Sequence, residues 1–424
     1  MSPPRIKLQP WMAESATRAV LDALSVGGVE ARFVGGVVRD ALLGSPILGS
    51  SPRTDIDIAT PAPPERVTEL LEQRGIKVVP TGLAHGTVTA IAGSPPRHFE
   101  ITTLRRDVET DGRRARVAFD ADWAADAARR DFTINAIFLT PDGTLHDPVG
   151  GLVDLRARRV RFVGDPATRI AEDVLRLLRY YRFEARFGTD TGDAQARAAC
   201  RAAAHLLPSL SGERVAQELV KLLETPDPIA VLRMMQEDGV LAVVLPEARR
   251  LDRLRQLIAV DPEVDPLRRM AALTEVDGEG AVALAARLRF PNAWRDRLHG
   301  LSPPRPLDPQ ADERSQRRAI YRLGVERYRD FAMLLAAEGE MTRSRFAELL
   351  DLAGDWTPPV FPLAGRDVAA LGIPPGERIG RLLAAVRDWW EAGDFTADRA
   401  ACLARLAELA AVPNPARSPS SSPS

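Results

Sequence analysis

Apolar positions along the chain change their period near residue 140. Before it, the short apolar runs "ARFVGG", "DIDIA", "KVVP", "TVTAIA" and "HFEITTL" are separated by Gly and Pro, the pattern of short strands. A helix-like stretch, "MAESATRAVLDALSVG", precedes them. From Asp165 onward, apolar residues recur at i, i+3 and i+4 in "TRIAEDVLRLLRYYRFEARFG", "RVAQELVKLLET", "PIAVLRMMQEDGVLAVVL" and "IGRLLAAVRDWWEAG", and the spacing predicts helices. The fold class is therefore α+β: residues 1–140 hold a small mixed β-sheet, and the rest is helical. Pro/Gly-rich joints at "FPNAWRDRLHGLSPPRPLDPQ" and "DWTPPVFPLAGRD" mark boundaries within the helical part. We divide it into 141–225, 226–305 and 306–412. The end, 413–424, has too few apolar residues to fold and is expected to be disordered.

Composition narrows the classes. The chain has 424 residues, 45% hydrophobic and 27% charged, so it can form several domains with sizeable cores. No apolar run approaches the ~20 residues that cross a bilayer, and the first residues lack the apolar segment of a secretory leader. Cys200 and Cys402 sit far apart without metal spacing, which fits a reducing compartment, the cytoplasm. A net charge of -1 argues against a nucleic-acid partner only until the charges are located. Nine arginines face four acids between Arg156 and Arg186, so a neutral chain carries a basic segment.

Three stretches carry chemistry. In "FVGGVVRDALLG" a strand, a glycine turn and a helix start would let backbone N–H groups approach a phosphate, with Arg39 to neutralise it; a plain tight turn has the same pattern. In "TDIDIAT", Asp55 and Asp57 alternate with isoleucines, so both carboxylates share one face of a strand. Such a pair binds Mg²⁺ beside substrate phosphates, or it is an exposed strand face. Glu100, on another predicted strand, is a candidate third carboxylate or half of a cross-strand ion pair. In "EDVLRLLRYYRFEARF", Val174, Leu177, Leu178, Tyr181 and Ala185 share one helical face, while Asp173, Arg176, Arg179 and Arg182 fan over the other. That polar face is either solvated or aimed at a base edge, because a carboxylate accepts from an exocyclic amine and a guanidinium donates to ring nitrogen or carbonyl oxygen. The polar segment Arg105–Phe119 reads as a mobile loop. His85 receives no role.

The order GG-V-V-RD, D-I-D-I, RRDFTINA and EDVLRLLRYYRF, over residues 32 to 187, resembles the bacterial class II CCA tRNA nucleotidyltransferase and poly(A) polymerase family, within the DNA polymerase β-like nucleotidyltransferases. The resemblance implies a nucleotidyltransferase head followed by helical neck, body and tail. It implies Mg²⁺-dependent transfer of CMP and AMP from CTP and ATP to the tRNA 3′ end, with no nucleic-acid template. Carried over by residue, Asp55 and Asp57 become catalytic metal ligands, and Gly36, Arg39 and Arg130 become contacts to the incoming nucleotide. Glu172, Asp173 and Arg176 become a protein template for the base, with Arg179 and Arg182 near the triphosphate. Thr54 departs from the usual Lys or Gly. The loop at 105–119 is expected to help the pocket change from C to A. A poly(A) polymerase shares these motifs, but the ending "PARSPSSSPS" stands where a long basic tail is expected, which favours the tRNA enzyme. A non-catalytic RNA-binding protein would not need the paired aspartates. The five histidines form no additional phosphohydrolase motif.

Overall fold

A computed structural model describes residues 3–44, 56–83, 86–111, 114–119, 121–189 and 191–412. Asp55, Thr54, His85 and the C-terminal stretch 413–424 lie outside the described residues. The chain divides into two compact units: Met1–Arg249 with Val264–Pro266 and Leu284–Pro291, and Arg250–Glu263 with Leu267–Ala283 and Asn292–Ser424. The last passage between them, at Pro291, falls inside the first Pro/Gly-rich joint.

The first unit opens with the expected helix, Ser15–Val26, and a seven-stranded mixed sheet. Its strands are β1 (Arg32–Val34), β2 (Ile56–Thr60), β3 (Lys77–Gly82), β4 (Thr87–Ala92) and β5 (Arg97–Thr103), followed by the short β8 (Phe138–Leu139) and β9 (Leu145–His146). Their order is β3-β4-β5-β2-β1-β8-β9, and only β2 and β5 run parallel. Every apolar run of the head became a strand. Alternation decides which face is buried: Ile56 and Ile58 are almost fully buried, while Asp57 between them is half-buried.

Two elements differ from the sequence reading. Residues 105–119 form an antiparallel hairpin, β6 (Arg105–Asp111) and β7 (Arg114–Phe119), where a loop was expected. β6 is polar and lacks apolar alternation, and the alternation of β7, Ala115, Val117 and Phe119, is short and set among arginines. The continuous helix expected through Glu172 is broken. One helix ends at Glu172, Asp173 is extended (φ −152, ψ 107), and a second helix spans Leu175–Phe187. The Asp173 carboxylate accepts from the Leu175 N–H at 3.1 Å, the local bonding that lets aspartate start helices.

The second unit is helical. Helices Glu377–Ala392 and Arg399–Ala411 pack around Val386, Trp390, Cys402 and Leu406. Both cysteines are buried free thiols. No helix among the described residues is long and apolar enough to cross a membrane.

Candidate active site

β1 leads into Gly35, whose φ of 75 lies in the left-handed region that favours glycine, and then into the helix Gly36–Leu42. A Cβ on Gly35 would lie 2.9 Å from the Asp57 carboxylate, so the turn closes directly over that acid. The parallel pairing of β2 with β5 sets Asp57 beside Glu100 in register. Paired residues of neighbouring strands point to one face, so the candidate third carboxylate does stand next to Asp57. The described residues contain no group of three acids, histidines or cysteines spaced to hold a metal, and Asp55 falls outside them. What the described part offers a hard cation is two carboxylates on one sheet face under a turn that leaves no room for a side chain.

Behind the turn, Arg39 is 6% exposed. Its Nε donates to Asp40 at 2.9 Å and its Nη1 to the Asn135 side-chain oxygen at 2.6 Å. The Phe187 ring lies 3.9 Å from its guanidinium carbon. Burial lowers its pKa, against the opposing pull of Asp40. Arg39 is thus a buried brace, with its Nη2 3.6 Å from where a Cβ on Gly36 would sit. Asn135 in turn donates to Asp131 at 3.0 Å, and Arg179 donates to the other oxygen of Asp131 at 2.9 Å. Burial would raise the Asp131 pKa, but Arg179, Asn135 and the Phe132 N–H outweigh it and hold the carboxyl at about 2. One hydrogen-bonded path, Asp40–Arg39–Asn135–Asp131–Arg179, therefore joins the glycine turn to the helix Leu175–Phe187. An apolar path runs beside it: Phe132 meets Phe162 at 4.9 Å and Phe183 at 5.0 Å between ring centres.

Arg130 and Arg129 share the buried Asp126, with Arg130 at 2.8 Å. Burial brings Arg129 down to about 10, with Asp126 opposing. At the helix break, Arg176 pairs with Glu172, which also holds Arg169 at 2.9 Å. Asp173 is held at 2.8 Å by Arg214, from the helix Gly212–Leu223. Arg182 donates to the buried Glu218 of that same helix at 2.5 Å. Asp173, Arg176, Arg179 and Arg182 therefore lie along one edge, each charge matched by a partner from another element or the preceding helix. Sequence reasoning missed Gly35, Asp131, Asn135, Arg214 and Glu218. The first three lie inside quoted motifs, where a positive-φ glycine and a polar pair flanking "FTI" were the available signals. Arg214 and Glu218 lie in an amphipathic helix with no local sign of their partners.

Similarity to known proteins spans most of the chain. Residues 31–161 match the model of the "Poly A polymerase head domain", and 193–251 match "Probable RNA and SrmB- binding site of polymerase A". The chain is 34% identical over 397 residues to the mitochondrial CCA tRNA nucleotidyltransferase 1 of Danio rerio, covering 89% of this chain and 87% of that protein. It is 31% identical over 381 residues to the CCA-adding enzyme of Levilactobacillus brevis, covering 86% and 90%. Among solved structures, the Bacillus stearothermophilus CCA-adding enzyme in complex with CTP superposes with a TM-score of 0.77, at 28% identity, over 95% of this chain and 98% of that one.

Proposed function

Because this chain belongs to the CCA tRNA nucleotidyltransferase and poly(A) polymerase family, we propose a division of labour among its residues for CCA addition. The protein is a nucleotidyltransferase that adds CMP and AMP, from CTP and ATP, to the tRNA 3′ end and releases pyrophosphate. Family members of this kind work with divalent metal ions, and in our reading the ion is Mg²⁺, held by Asp57 and Asp55 with Glu100 alongside. When bound, the metal would lower the pKa of the attacking hydroxyl and offset charge on the phosphates. The observation that carries the reading is the closure of Gly35 over Asp57, because a phosphate placed on the glycine turn lies within reach of that carboxylate.

The remaining roles concern binding and orientation. Gly36 offers backbone N–H groups to the triphosphate, and Arg39 supplies positive charge from behind the turn. Arg130, Arg179 and Arg182 add positive charge on the far side. Asp173 accepts from the exocyclic amine of C or A while Arg176 donates to the ring edge, with Glu172 and Arg214 fixing the angle of each. G and U would set donor against donor or acceptor against acceptor and leave a charged group without a partner. Residues 141–225 serve as the neck that reads the base, and 226–412 as body and tail that hold the rest of the tRNA. Two buried thiols support a reducing compartment, the cytoplasm.

The test is incubation of the purified protein with tRNA transcripts lacking one, two or three terminal nucleotides, each with a single labelled NTP. Addition of A to the first, and of C to the second and third, is expected. Extended runs of A on all three would point to a poly(A) polymerase instead.

A further inference from the structure

We propose that the turn at Arg156–Arg158 is a docking point for the phosphodiester backbone of the RNA substrate, an inference that rests on the tRNA reading above. Between Gly150 and Gly164 the chain carries four arginines, Arg156, Arg158, Arg159 and Arg161, and one acid, Asp154. Asp154 is fully buried and pairs with both Arg159 and Arg161. Arg156 and Arg158 are exposed and make no ion pair among the described residues. The turn therefore presents uncompensated positive charge to solvent.

Its backbone gives a second and independent sign. The helix Gly151–Arg156 ends with the Arg158 N–H bonded to the Leu155 carbonyl at 3.2 Å and the Arg159 N–H bonded to the Asp154 carbonyl at 2.9 Å. This pair of bonds defines a helix end whose left-handed residue is usually glycine. Here it is Arg158, with φ 51. A side chain sits where its absence would relieve the backbone, and that side chain is an exposed cation.

The turn is also held in register with the active site. A Cβ on Gly151 would come within 2.1 Å of the Thr133 carbonyl oxygen, so the helix start is pressed onto that residue. The Thr133 hydroxyl donates to Asp154 at 2.6 Å, and its N–H donates to the Arg161 carbonyl at 3.0 Å. Thr133 stands two residues from both Asp131 and Asn135, the two links between glycine turn and template helix. A phosphate caught by Arg156 and Arg158 would thus be fixed relative to the nucleotide site, and a phosphodiester chain is the substrate's dense source of such charge.

The test uses Arg158→Gly, a change that suits the backbone and removes the charge. We expect the tRNA Kd at low salt to rise about three- to tenfold, and the slope of log Kd against log salt to fall by about one. The melting temperature should stay the same or rise, and the KM for CTP at saturating tRNA should not move. Arg156→Ala combined with Arg158→Gly should enlarge the loss. Wild-type tRNA affinity and salt slope in the double variant would overturn the proposal, as would a loss of affinity that appears only with lower stability. If the wild type itself adds no C to trimmed tRNA, the tRNA reading fails, an outcome read separately from the comparison of variants.

Discussion

Asp57, which we propose as a metal ligand, is flanked by Glu100 and roofed by Gly35. Asp57→Asn keeps the shape and removes the negative charge, so single-turnover CMP transfer should fall on the order of a thousandfold or more. RNA binding, measured by filter retention, should be unchanged, because the basic neck is untouched. Asp55→Asn is expected to behave alike. Arg214 acts one step back, through Asp173. Arg214→Ala should lower discrimination against UTP while leaving melting nearly unchanged, and Arg214→Lys should restore part of the selectivity. Asp57 was legible in the sequence because alternation fixes the face of a strand. Arg214 was not, since its partner lies 41 positions away and nothing in "GERVAQEL" distinguishes a paired, part-buried arginine from a solvated helix charge.

At the scale of elements, the edge of Asp173, Arg176, Arg179 and Arg182, which we propose reads the base, depends on a helix that stops and restarts. Periodicity placed Leu177, Leu178 and Tyr181 on a buried face, as found, but Val174 and Ala185 are only part-buried and Tyr180, Phe183 and Glu184 are buried as well. It could not report the break, because Asp173 fits a helical wheel as well as it fits a cap. The hairpin of β6 and β7 escaped because β6 has no apolar alternation and the alternation of β7 is only three residues long, Ala115, Val117 and Phe119. The far end of the helix Leu175–Phe187 carries a pH-sensitive feature. Glu184 is 3% exposed, and burial, resisted by the Thr189 N–H, lifts its pKa from 4.5 to about 7. The folded state then binds the proton more tightly than the unfolded state does, so this group's contribution is fullest below pH 4.5 and is lost as pH rises to 7. Glu184→Gln should remove that slope and raise stability at pH 8, by at most roughly 3 kcal/mol. Denaturant unfolding at pH 5 and pH 8 checks it.

At the scale of the whole molecule, the glycine turn and the helix Leu175–Phe187 of the first unit are joined by the path from Asp40 to Arg179. The sequence places the ends of this path 139 positions apart and shows its residues only in three separate motifs. Folding makes them one network, with Asn135 as the middle link. Asn135→Ala should cost about 1–3 kcal/mol of stability and lower kcat/KM for CTP and ATP together, because it loosens the site without touching a base edge. Asp173→Ala should do the reverse and relax selectivity, since the carboxylate we propose accepts from the exocyclic amine is then gone. The most direct measurement is therefore kcat/KM for all four NTPs on tRNA ending before its last C, in wild type, Asn135→Ala and Asp173→Ala. If Asp173 reads the base edge, the CTP-to-UTP and CTP-to-GTP ratios hold in Asn135→Ala and fall by roughly one to two orders of magnitude in Asp173→Ala. Unchanged ratios in Asp173→Ala would contradict it, whatever happens to overall activity.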